Sequence, residues 1–214
     1  MGKSNYDAMR DAMEPEFLKY DQDRMINRFG LIHDREYLYI RFVGTKYRVN
    51  RFSGRVEACL RSEEGYVHAD YNVSMTIFDV LCRAESGCCL SGRYVPVNSL
   101  KNVVQSASLG SGLFEKEGKF FRNKRELLRE ACEKLGGVPW GNGDVSYEIP
   151  LFDFLPVVLQ FWDADDEFDA VLKVMWDENI LTYMHYETTY FAAAHLLSRL
   201  MTLCGQKGDG VWTL

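Results

Sequence analysis

Five carboxylates fall within seven positions in the run Asp163-Ala164-Asp165-Asp166-Glu167-Phe168-Asp169. Hard cations such as Mg²⁺ and Ca²⁺ select clustered carboxylate oxygens, so Asp165, Asp166 and Glu167 are the first candidates for a metal or ligand site. The same residue types also make a solvated turn. Val157, Leu159 and Phe161 alternate before the run, and Leu172, Val174 and Trp176 alternate after it, which puts the acids at a hairpin tip. An EF-hand loop is excluded, because its central glycine and terminal bidentate Glu are missing.

Two Trp-Asp pairs, Trp162-Asp163 and Trp176-Asp177, suggest a catalytic carboxylate dyad. In an antiparallel hairpin Asp163 sits near the tip and Asp177 at the open end. At about 3.3 Å per residue they stand more than about 20 Å apart, beyond the roughly 5 to 10 Å of shared acid–base work. The histidines are His33, His68, His185 and His195. His185 and His195 lie ten residues apart, about 280° around a helix, and face different ways; His195 reads as a core or boundary residue. Glu187 opens an apolar helix, where a carboxylate either serves chemistry or complements the helix dipole. If the fold brings them to the acidic run, Glu187 or His185 would act as acid or base beside a metal. Gly110-Ser111-Gly112 lacks the Lys-Ser/Thr of a phosphate loop, and no Gly-x-Ser-x-Gly elbow occurs.

These side chains must be carried by an ordinary globular chain. Its 214 residues are 47% hydrophobic and 26% charged, enough for one domain with a sizeable core. A net charge of −6, with the basic stretch Arg122-Asn123-Lys124-Arg125 followed at once by Glu126, argues against nucleic acid as partner. No secretory signal is expected in the polar start, and no stretch approaches the run of about 18 apolar residues that a membrane helix needs. The six cysteines contain no Cys-x-x-Cys pair and read as reduced thiols of a cytoplasmic protein, the adjacent Cys88 and Cys89 included.

Periodicity predicts a helical segment over 4–29, divided near Pro15 and stopped at Gly30. Strands follow over 37–42, 47–49 and 55–58, then a buried helix over 72–84 and a short one near 100–106. Residues 123–135 form a helix capped by Asn123 with Glu126 at the reciprocal position. Strands over 144–149, 157–162 and 170–176 precede an apolar final helix over 187–204. The expected fold is a single α+β domain over 1–205, with an antiparallel sheet of about five to six strands packed with helices and a tail over 206–214.

Within this pattern Gly143-Asp144, Ile149-Pro150, Leu155-Pro156, Leu159, Trp162, Asp165-Asp166-Glu167-Phe168, Asp177 and Glu187 resemble the domain of unknown function 3786 family of anaerobic bacteria and archaea. Weaker similarity reaches upstream through 95–100 and 37–54, giving a family-like core over 37–204. The resemblance implies no established activity. Some members carry a fused iron–sulfur domain, which implies company with anaerobic one-carbon or metal-cofactor chemistry. This chain lacks that cysteine cluster and has Asp169 where the family commonly has proline. The candidate site is therefore Asp165, Asp166, Glu167 and Glu187, with Asp144, Trp162, Asp177 and His185 as weaker members. The leading reading is a ligand-, cofactor- or protein-binding module linked to anaerobic metabolism, with a protein or small-molecule partner, no nucleic acid and no membrane. The alternatives are a small metal-dependent, hydrolytic enzyme and a structural or oligomerisation domain. The sequence names no cofactor and no oligomeric state.

Overall fold

The computed structural model describes residues 4–59, 65–100 and 114–205. The phosphate-loop-like glycines at 110–112, the tail over 206–214 and all but the first residue of the short helix near 100–106 lie outside them. Among the described residues the chain forms six α-helices and ten strands. It opens with α1 (Asn5–Phe17) and α2 (Gln22–Phe29), then β1 (Ile32–His33), β2 (Tyr37–Phe42), β3 (Thr45–Asn50), β4 (Val56–Cys59) and β5 (Tyr66–His68). The middle carries α3 (Tyr71–Arg83), β6 (Tyr94–Pro96), α4 (Glu115–Phe121), α5 (Arg125–Lys134) and β7 (Val138–Pro139). Strands β8 (Val145–Phe152), β9 (Leu155–Trp162) and β10 (Val171–Asp177) lead to α6 (Tyr186–Leu203).

All strands join one antiparallel sheet in the order β5-β4-β3-β2-β8-β9-β10-β6, with β1 on β2 and β7 on β8. The fold is α+β, as expected, but the sheet is larger than the five to six strands read from the sequence. The additions β1, β5, β6 and β7 are two or three residues long, too short to show an alternation of period two. The two meanders meet at a narrow seam. Phe42 pairs with Phe152, and the Val43 N–H donates to the Leu151 carbonyl at 2.8 Å.

Five helices build the opposing layer: α3 packs on both α1 and α6, α5 on α6 and β8, and α4 on α6 and β10. Odd positions of β9 (Leu155, Val157, Leu159, Phe161) and even positions of β10 (Leu172, Val174, Trp176) are buried. That alternation is what the sequence predicts for the hairpin, and Leu172 pairs with Phe161 and Val174 with Leu159. The helix ends follow local chemistry with two departures. Pro15 lies inside α1, and the break comes later, between Phe17 and Gln22. A proline in the last turn spoils few hydrogen bonds, so the helix outlasts it. Asn123 does not cap α5 either. The cap position falls on Lys124 without a side-chain bond, and Asn123 adopts a left-handed φ of 59°. Its N–H donates to both oxygens of Asp163 at 3.1 Å, so a carboxylate from the sheet stands where the local cap was expected.

Candidate functional site

The acidic run is a tight turn at the β9–β10 tip. Asp165 accepts the N–H groups of Glu167 and Phe168 at 2.9 and 2.7 Å, and its own N–H donates to the Phe168 carbonyl at 3.0 Å. Those two N–H groups hold its carboxyl below the ordinary range. Asp165, Asp166 and Glu167 are exposed. Glu187 is also exposed, in the first turn of α6, and α6 follows the far end of β10. The seven residues of that strand span about 20 Å. Among the described residues, no three of these four carboxylates bring oxygens within 4.8 Å of one another.

The weaker candidates occupy four separate places. Asp177, 1% exposed, accepts from the N–H and hydroxyl of Ser91 and from the N–H groups of Gly92 and Asn179, at 2.8 to 3.2 Å. It ties the loop before β6 to the end of β10. His185 stands at the cap of α6, and its partner is Asp79 of α3. Asp79 Oδ1 lies 2.6 Å from His185 Nδ1, while Oδ2 accepts the His185 N–H at 2.7 Å and the Thr188 hydroxyl at 2.6 Å. The imidazole side chain is 60% exposed. Asp79 thus caps α6 across two helices and orients a histidine, a pairing also found where imidazoles move protons. Trp162 is half-buried, with the Lys173 ammonium 5.1 Å from its ring.

Asp144 belongs to the fourth place, a cleft at the β7–β8 corner. Between these strands the chain turns through residues 140–144, with the Trp140 N–H donating to the Ser146 carbonyl at 2.9 Å. Gly143 has φ +140°, and a Cβ there would stand 3.1 Å from the Phe161 carbonyl oxygen. Only glycine lets the turn lie this close to β9. Gln160 Nε2 donates to the Asn142 carbonyl at 3.1 Å, and Arg129 Nη2 to the Asp144 carbonyl at 2.7 Å. Asp144 Oδ2 accepts the Asp163 N–H at 2.8 Å, and Asp163 in turn accepts Arg125 Nε at 2.9 Å. Burial raises the Asp163 carboxyl, but the N–H of Asn123 and the Arg125 guanidinium outweigh it and leave the pKa lowered.

The space so framed is an open cleft of about 410 Å³ whose lining includes Arg129, Trp140, Gly143, Asp144, Ser146 and Tyr147. That volume lies in the range of small-molecule sites. Trp140 is 40% exposed and meets Tyr94 edge-on at 5.1 Å. Tyr94 is fixed by donating to Glu148 Oε2 at 2.7 Å. Ser146 is only 8% exposed, and its Oγ has no hydrogen-bond partner among the described residues. A buried hydroxyl without a partner is costly. The charged groups are already engaged: Arg129 Nη1 meets Glu126 Oε1 at 2.5 Å. The cleft therefore offers an indole wall and peptide groups, and the Ser146 hydroxyl itself is buried.

From the sequence, Trp140 is visible only as part of a glycine-rich turn, and an exposed tryptophan there was the available signal. Ser146 carries none, since its burial depends on the neighbouring strand. Asp79 lies among apolar residues of α3, and nothing local marks it as the partner of His185.

The profile of a family described as domain of unknown function (DUF3786) matches residues 21–199. No curated protein and no solved structure gives a significant match. Among the described residues, no helix is long and apolar enough to cross a membrane.

Proposed function

This chain belongs to the DUF3786 family, a membership that assigns no reaction, and we propose from its geometry that it is a small-molecule-binding module with its ligand in the Trp140–Ser146 cleft. The observation that carries this reading is a cleft of ligand size walled by the half-exposed Trp140 indole, with Ser146, whose hydroxyl has no partner among the described residues, in its lining. Supporting it, Asp144 and Gly143 of the family-like motif shape the rim rather than the acidic turn. A link to anaerobic metabolism and a cytoplasmic setting extend the family resemblance, and the six free cysteines are in keeping with a reducing compartment.

A fragment library screened by amide and indole NMR shifts tests the proposal. Expected are shifts confined to the Trp140 indole and the amides of 141–146, abolished by Trp140→Ala and by Ser146→Val. Shifts scattered over the surface, or gathered on the acidic turn, would sink it.

The enzyme reading draws on one specific observation, the Asp79–His185 pair with its imidazole side chain largely exposed. It requires hydrolysis of a nitrophenyl ester that drops about tenfold or more in His185→Gln. Equal turnover by that variant removes it.

A further inference from the structure

The N-terminal helix and the last strand of the first meander bring together a third set of side chains. Asp11 and Glu14 stand three residues apart on α1 and so share a helix face, and His68 ends β5. One ligand atom from each lies within 4.8 Å of the other two, with His68 Nε2 2.7 Å from Glu14 Oε1. The three side chains are only 25%, 17% and 21% exposed, respectively. Their placement is fixed by backbone contact. Gly54, at φ +78° in the β3–β4 turn, lies so close to α1 that a Cβ would stand 2.0 Å from the Glu14 carbonyl oxygen. The turn of α1 that carries Glu14 is seated on the β3–β4 turn.

We propose that Asp11, Glu14 and His68 form a three-ligand site for a divalent transition metal, with Zn²⁺ the preferred ion. One imidazole nitrogen and two carboxylate oxygens are donors that zinc takes at about 2.0 to 2.2 Å, with further positions left to water. Mg²⁺ and Ca²⁺ favour all-oxygen shells, and the histidine selects against them. Among first-row divalent ions zinc also outranks manganese and iron at such a set. Arg10 is the competing cation: its Nε and Nη2 lie 3.0 and 2.9 Å from Asp11 Oδ1, and its Nη1 donates to the Ala69 carbonyl at 3.1 Å. Metal binding exchanges part of that pairing. Burial, with the charge of Arg10, holds the His68 pKa below its usual value, and metal ligation draws on the neutral imidazole. This site is separate from the cleft, and neither reading depends on the other.

Cobalt(II) titration of the full chain, followed by displacement with zinc, tests it. The chain also has six cysteines, and the spectrum separates the two donor types, because thiolate coordination adds an intense near-ultraviolet charge-transfer band. Expected is one ion per chain, without that band, whose affinity falls about tenfold or more in Glu14→Gln and again in His68→Gln. Circular dichroism confirms that each variant is folded, and if one is not, the other carries the same comparison. Absence of cobalt uptake, a thiolate band, or affinity equal to the parent in the folded variants overturns the site.

Discussion

The imidazole of His195 on α6 lies flat on the ring of Phe42 on β2, with centroids 4.8 Å apart and planes 14° from parallel. Phe42 is itself stacked on Phe152 at 4.7 Å, so the histidine sits over the seam where the two meanders join. It is 4% exposed, and its Nε2 has no partner among the described residues.

An acid-sensitive seam follows from that position. Burial, with the nearby Arg199 charge, lowers the His195 pKa from 6.5 to about 3. The folded value lies below the unfolded one, so folding favours the neutral ring. This contribution is complete above pH 6.5 and is lost as the pH falls from 6.5 toward 3, reaching on the order of 3 kcal/mol at pH 4. His195→Phe keeps the stacking and removes the proton. Its melting temperature is expected to fall less than the parent's between pH 7 and pH 4.5, and parallel curves would refute the assignment.

Asp163 secures the chain just before α5. It accepts the Asn123 and Ala164 N–H groups and the Arg125 guanidinium, with its side chain 2% exposed. Asp163→Ala leaves those donors without a partner and costs about 2 to 3 kcal/mol in chemical denaturation. A loss under about 0.5 kcal/mol would mean that water replaces the carboxylate without penalty.

Asp177 carries a heavier load for its size. Four donor groups converge on one carboxylate that is 1% exposed. Asp177→Leu is expected to cost about 3 kcal/mol or more, with the loop at 88–92 first to lose amide-exchange protection. Asp177→Asn retains one acceptor and costs less. Equal stability of both variants and the parent would contradict a structural role.

The parts of this fold that were legible in the sequence are those written in local periodicity. The β9–β10 hairpin shows in the alternation from Val157 to Trp176, and its acidic tip is the turn the residue types suggest. What was not legible depends on partners far along the chain. Asn123 looks like a cap until Asp163, 40 residues on, takes its N–H. His185 is a candidate acid or base in the sequence, but nothing local supplies the partner that Asp79, 106 residues earlier, provides. The strands β6 and β7 exist because longer neighbours offer free edges, and no pattern in two or three residues encodes that. The cleft shares this origin, since it is framed by α5, β8 and a turn, each ordinary alone.

The cross-helix cap on α6 separates two roles of the same carboxylate. Asp79 accepts the His185 N–H and the Thr188 hydroxyl through Oδ2, and faces the imidazole through Oδ1. Loss of an N-terminal cap costs about 1 to 2 kcal/mol, so Asp79→Ala should lower stability by that amount. Thr188→Val removes one of the two Oδ2 contacts and should cost less, with the double variant falling short of the sum because both act on one oxygen. His185→Ala keeps the backbone N–H and therefore most of the cap. If His185→Ala destabilises as much as Asp79→Ala, the imidazole rather than the helix end is what Asp79 holds, and the capping account fails.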